Sequence, residues 1–141
     1  AGYRSQDYDD AQLDTISGPT VGAQLTSNVT QLTSVQVGIN RLIQETTSAG
    51  ASGFFATAGS VTVDHELLRN LLLNAGASYT LNDYEGISRE DEILGLQLGG
   101  RYLVNRYLEA ELRYDFTDRD SSIAGSDYTQ NRVFLSVTVQ Y

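Results

Sequence analysis

The sequence predicts an all-β chain: an antiparallel up-and-down transmembrane β-barrel, with eight strands visible in 141 residues. Three observations predict it. Runs of alternating apolar and polar residues recur along the whole chain, the period-two pattern of a strand with one face in lipid. The connections between those runs alternate between long and short. Acidic residues gather in the long connections, and tyrosines fall where strands end. No stretch approaches the roughly 20 apolar residues of a membrane helix. A mean hydropathy of −0.26 suits a barrel, in which only every second strand residue meets lipid.

Taken in order, residues 2–7 read as a short first strand, followed by a polar loop at 8–17 with Asp9, Asp10 and Asp14. Gly18-Pro19 is a turn signal that returns the chain to a second strand at 20–28, and 29–33 is a compact turn. The third strand, 34–45, sets Val35, Val37 and Ile39 against Gln36, Gly38 and Asn40. It also brings Arg41 onto the apolar face, where mid-bilayer exposure costs about 2–4 kcal/mol. A bulge or snorkelling toward the loop end is expected to relieve it. After a small-residue loop at 46–52, the fourth strand, 53–64, carries Phe55, Val61 and Val63 on one face. A turn at 65–69 follows.

The organising unit is the next hairpin. Leu71, Leu73, Ala75, Ala77, Tyr79 and Leu81 form one face of its first strand, and Leu94, Leu96, Leu98 and Tyr102 the same face of its return. An acidic loop, 82–92, joins them, and a turn at Asn105-Arg106 closes the unit. The seventh strand, 107–117, alternates Leu108, Ala110, Leu112, Tyr114 and Phe116 with Glu109, Glu111, Arg113 and Asp115; a helix could not segregate these residues. A fourth long loop, 118–129, leads to the eighth strand, 130–141.

With the apolar face toward lipid, Arg101, Glu109, Glu111, Arg113, Asp115 and Arg132 line the barrel interior, where opposite charges on neighbouring strands should pair. Tyr79 and Tyr114 mark a girdle at the long-loop rim, and Tyr102, Tyr107 and Tyr141 one at the short-turn rim, each ring in lipid with its hydroxyl toward water. Bacterial outer-membrane barrels keep long loops outside and short turns in the periplasm, so most of the acidic charge is expected on the outer rim. The partners this implies are outer-membrane lipid and lipopolysaccharide; weak divalent bridging from the acidic loops to lipopolysaccharide phosphates is the lesser alternative to simple solvation of those loops. A protein partner or self-association is left open.

Asp64-His65-Glu66-Leu67-Leu68-Arg69-Asn70, Asn82-Asp83-Tyr84-Glu85-Gly86-Ile87, Arg101-Tyr102-Leu103, Asp118-Arg119-Asp120-Ser121 and Asp127 to Val133 resemble the C-terminal part of the porin-like outer-membrane β-barrel family of Gram-negative bacteria. The resemblance covers nearly the whole chain. It implies the barrel fold and a location in the bacterial cell outer membrane, and brings no catalytic residues with it. Members of that family are longer, so the resemblance implies the expectation that residues 1–141 are a single barrel domain lacking its N-terminal part.

Other chemistry finds little footing. The net charge of −9 argues against nucleic acid as a partner. There is no cysteine for a disulfide, a thiolate metal site or a nucleophile. His65 is the single histidine; it lacks the second histidine of a zinc-protease helix and is expected in a turn or capping role. Glu90-Asp91-Glu92 and Asp118-Arg119-Asp120 lack the spaced ligands and glycine of a calcium loop and read as solvated. No cofactor, metal or catalytic set is expected, and the chain is not expected to be an enzyme. The functional expectation is a structural or passive-diffusion barrel. The alternatives are a surface module presenting acidic loops, and a soluble barrel enclosing a small apolar ligand.

Overall fold

The computed structural model describes residues 1–8 and 14–140, and the described residues contain no helix. The strands are β1 (Gly2–Gln6), β2 (Ile16–Thr30), β3 (Thr33–Gln44), β4 (Gly53–Leu68), β5 (Leu71–Glu85), β6 (Glu90–Asn105), β7 (Leu108–Ser121) and β8 (Tyr128–Val139). They form one sheet in sequence order, each strand antiparallel to its neighbours in the chain. This is the up-and-down arrangement the alternation predicts. Among the described residues β1 and β8 do not pair with each other, so the sheet is open where a closed barrel was expected.

Cross-strand register sorts the side chains into two faces. Ala23, Ile39, Gly59, Tyr79, Leu94, Tyr114 and Leu135 stand with their register partners on one. That face is apolar and bare: Leu98, Leu112, Leu135 and Val137 are all more than half exposed. The other carries glycine, serine, threonine, amides and charges. It lines the cavities, including one of about 530 Å³ bordered by Ser34, Asp64, Asn74, Gln97 and Arg101, and is therefore the concave face. Burying neither face against a second layer is what a lipid-facing sheet does.

Strands β4 to β6 run 15 or 16 residues, beyond the roughly 9–11 needed to cross a bilayer. The surplus corrects several loop boundaries. Asn82 to Glu85 continue β5, and Glu90 to Glu92 open β6, leaving only 86–89 as the connection. Asp118 to Ser121 likewise extend β7. His65 is not in a turn: it pairs with Thr33 and Leu73, its Nδ1 lies 2.9 Å from the Thr33 hydroxyl, and the chain turns at Arg69-Asn70. The last short turn falls at Arg106-Tyr107, with Asn105 still paired to Leu108.

Gly18-Pro19 does not turn either. Both pair with β1, Pro19 opposite Tyr3 and Gly18 opposite Arg4. Gly18 is needed for another reason, since a Cβ there would sit 2.7 Å from the Phe55 ring. Ile16, Ile43 and Phe55, with Tyr8 alongside, form the buried apolar cluster of the described residues. Phe55, expected to face lipid, is thus enclosed by the start of β2. At Arg41 the ladder passes without a bulge, Val21 and Thr57 flanking it in register. Its guanidinium lies 4.6 Å from the centre of the Phe55 ring, a cation–π contact at the loop end of the strand.

The charged concave face

On the concave face, side chains converge at two levels. Toward the long connections, Asp91 on β6 is wholly buried. Arg89 reaches it from the 86–89 connection at 3.1 Å, and Arg119 on β7 at 2.5 Å. The Ser121 hydroxyl, on the rung directly opposite, donates to the oxygen that Arg89 also contacts, while Arg119 donates to the other. Burial alone would raise the Asp91 pKa, but hydrogen bonds from Ser121, Arg89 and Arg119 outweigh it and hold the carboxyl below its ordinary range. The Tyr84 hydroxyl is pushed up, first by burial and then by the Asp91 charge. Tyr84 stacks on Phe54 at 4.8 Å and has the Arg89 guanidinium 4.6 Å from its ring centre.

This cluster ties connections together. Arg89 also donates to the Ser48 hydroxyl at 3.3 Å, and Ser52 N–H to the Glu85 carbonyl at 3.0 Å. The 45–52 and 86–89 segments are therefore pinned to one another. Gly86 has a φ of +95°, and a Cβ there would lie 2.5 Å from the Gly50 carbonyl.

Nearer the short turns the charges are more open. Arg101 makes ion pairs with Glu109 at 3.3 Å and with Glu111 at 3.7 Å. Arg113 pairs with Asp115 at 3.3 Å and lies over the Phe134 ring at 4.6 Å. Arg132 stands directly opposite Asp115 in register, with its guanidinium 5.8 Å from the Phe134 ring. All six candidate lining residues thus stand on the concave face, in two groups: Arg101, Glu109 and Glu111, and Arg113, Asp115 and Arg132. A chain of amides adjoins them, Gln97 donating to Asn74 at 3.0 Å and Asn74 to Asp64 at 2.7 Å.

Of the candidate girdle, Tyr79, Tyr102 and Tyr114 stand on the apolar face. The Tyr79 hydroxyl donates to Glu92 at 2.6 Å, and that of Tyr114 to Asn131 at 2.6 Å. Tyr107 occupies the turn with Arg106 over its ring at 4.6 Å. Tyr141 lies outside the described residues.

With this geometry in view, comparison with known proteins becomes informative. A family model described as "Putative beta-barrel porin 2" matches residues 1–141. The chain belongs to this family. No curated protein matches it. Among solved structures, it resembles OmpTdeltaL8, a loop L8 deletion mutant of OmpT, an outer membrane protein of Vibrio cholerae, with a TM-score of 0.73 and 13% identity. The match covers 84% of this chain and 42% of that one, so the chain spans less than half the length of the structure it resembles. At that identity the likeness concerns the fold, an outer-membrane β-barrel, and the porin-like character comes from the family.

Sequence reasoning missed the Asp91 cluster, placing Asp91 in a solvated acidic run with Glu90 and Glu92. Alternation was the available signal. Glu90 and Glu92 stand outward opposite Asp83 and Asp120, whereas Asp91 points inward opposite Asn82 and Ser121. Most of the rim acids flank strands rather than fill loops, because the period of two continues past the lipid with acids replacing aliphatic residues on the outer face.

Proposed function

We propose that the protein sits in the bacterial outer membrane and provides a passive, non-enzymatic conduit for small hydrophilic solutes along its concave face. One observation carries this reading: the face turned from lipid bears paired, partly exposed charges and amides around open space, while the opposite face is bare and apolar. Charges that line a water-filled wall set which ions enter. An apolar ligand would find no apolar enclosure on this concave face, which disfavours the soluble-carrier reading.

Unpaired strand edges are costly in a bilayer, several kcal/mol for each unsatisfied backbone group. The edge of β8, and that of β2 beyond Thr20, are open among the described residues. In the membrane, further strands complete the wall, so the conduit is wider than eight strands would enclose. Eight alone would fill with side chains. The lipid-facing aliphatic band contacts acyl chains, and the outward Asp83, Glu90, Glu92 and Asp120 meet the lipopolysaccharide headgroup layer. These same acids would serve a surface docking role if no current flows.

Planar-bilayer recording on the purified full chain tests the proposal. Steady open-channel current is expected. Its absence in a correctly inserted, heat-modifiable protein would leave the docking role instead.

A further inference from the structure

The charges of the concave face are unevenly distributed along the strands. Near the short turns, Asp64, Glu66, Glu109 and Glu111 face the same side with Arg101 as the guanidinium among them. Further toward the long connections the balance inverts. Arg113, Arg132, Arg119 and Arg89 surround Asp115 and Asp91. Of the acids of that end, Asp83, Glu85, Glu90, Glu92, Asp118 and Asp120 point outward, away from these guanidiniums. Arg69 and Arg106 lie in the short turns themselves, beyond the acidic zone.

We infer that the concave wall is electrically polarised along its strands, anionic toward the short turns and cationic toward the long connections, so that the conduit rectifies ion current. This rests on the proposed conduit. Two zones of opposite sign in series act as a diode. When the short-turn side is held positive, cations enter through the acidic zone and anions through the basic one, both accumulate between them, and conductance rises. The reverse polarity depletes both ions.

Dimensions permit the effect. From Glu111 to Arg119 is eight residues of β7, about 27 Å at about 3.4 Å per residue. The screening length is about 10 Å at 0.1 M salt and about 3 Å at 1 M. Glu111 and Arg119 are therefore more than two screening lengths apart at 0.1 M while their fields still extend into the lumen, and at 1 M they are screened close to the wall.

The test is the current–voltage curve of the full chain inserted in one orientation in a planar bilayer. Roughly twofold larger current is expected at 0.1 M potassium chloride with the short-turn side positive, falling toward unity at 1 M as screening shortens. Glu66→Gln and Arg132→Gln each remove charge from one zone without breaking an ion pair among the described residues, and each should lower the ratio. A symmetric curve at 0.1 M, the opposite polarity, or a ratio indifferent to both variants overturns the polarised wall while leaving the conduit standing. No current at all overturns the conduit and the polarisation together.

Discussion

The two ends of the β6–β7 pair use the same residue types to different ends. At Asp91 a carboxylate with no exposed surface is held by two guanidiniums and a hydroxyl. At Arg101 a guanidinium half exposed to solvent spans two glutamates at 3.3 and 3.7 Å. Burial decides which is structural. Removing one partner from a desolvated set strands the others and is expensive, whereas a solvent-screened pair is worth little. Charge at the first end therefore holds connections together and leaves one guanidinium in excess of its carboxylate, whereas charge at the second is open to solvent along its length.

The sharpest way to break this contrast is Asp91→Ala, which leaves Arg89 and Arg119 facing each other. It should cost about 3–5 kcal/mol, read as a lowered unfolding midpoint in detergent. Glu111→Gln is its counterpart, and a loss above about 1 kcal/mol would contradict a screened pair. Next in size is Gly86→Ala. It forces a Cβ onto the Gly50 carbonyl at a positive φ and should cost about 1–3 kcal/mol. Gly125→Ala, with φ +83° but open space around it, should cost about 1 kcal/mol. Equal losses at the two glycines would mean that the contact between the 45–52 and 86–89 segments contributes nothing.

Acid separates the ends more gently. The Asp91 pKa is depressed on folding, so its contribution is complete above the ordinary carboxylate value of 3.8 and is lost as pH falls below it toward the folded value. Unfolding midpoints of the native protein and of Asp91→Asn should converge as the pH is lowered through this window. A constant difference between them would remove the charge from the argument.

Much of this was legible in the sequence, and the exceptions share a cause. Leu94, Leu96 and Leu98 announce their face because lipid demands aliphatic side chains on every second residue. Beyond the lipid that demand ends, and Asp83, Glu85, Glu90 and Glu92 look like a loop although the same alternation continues through them. The six lining positions could be placed on a face from their own strands. Alternation alone would have turned Asp91 inward, but its burial could not be read, because that depends on Arg119 and Ser121, about 30 residues away in the chain. Phe55 was legible as apolar and outward; its enclosure depends on β2 beginning at Ile16, before a glycine–proline pair that reads as a turn.

Each strand of the sheet pairs only with its neighbours in sequence. Every hydrogen-bonded ladder therefore closes a short loop, with little chain entropy lost before contacts form. The described sheet can be put together as a zipper, one hairpin laid against the last. Such growth leaves a template edge at each stage, and along the open part of β2 the outward row Val21, Ala23 and Leu25 continues the apolar face up to that edge.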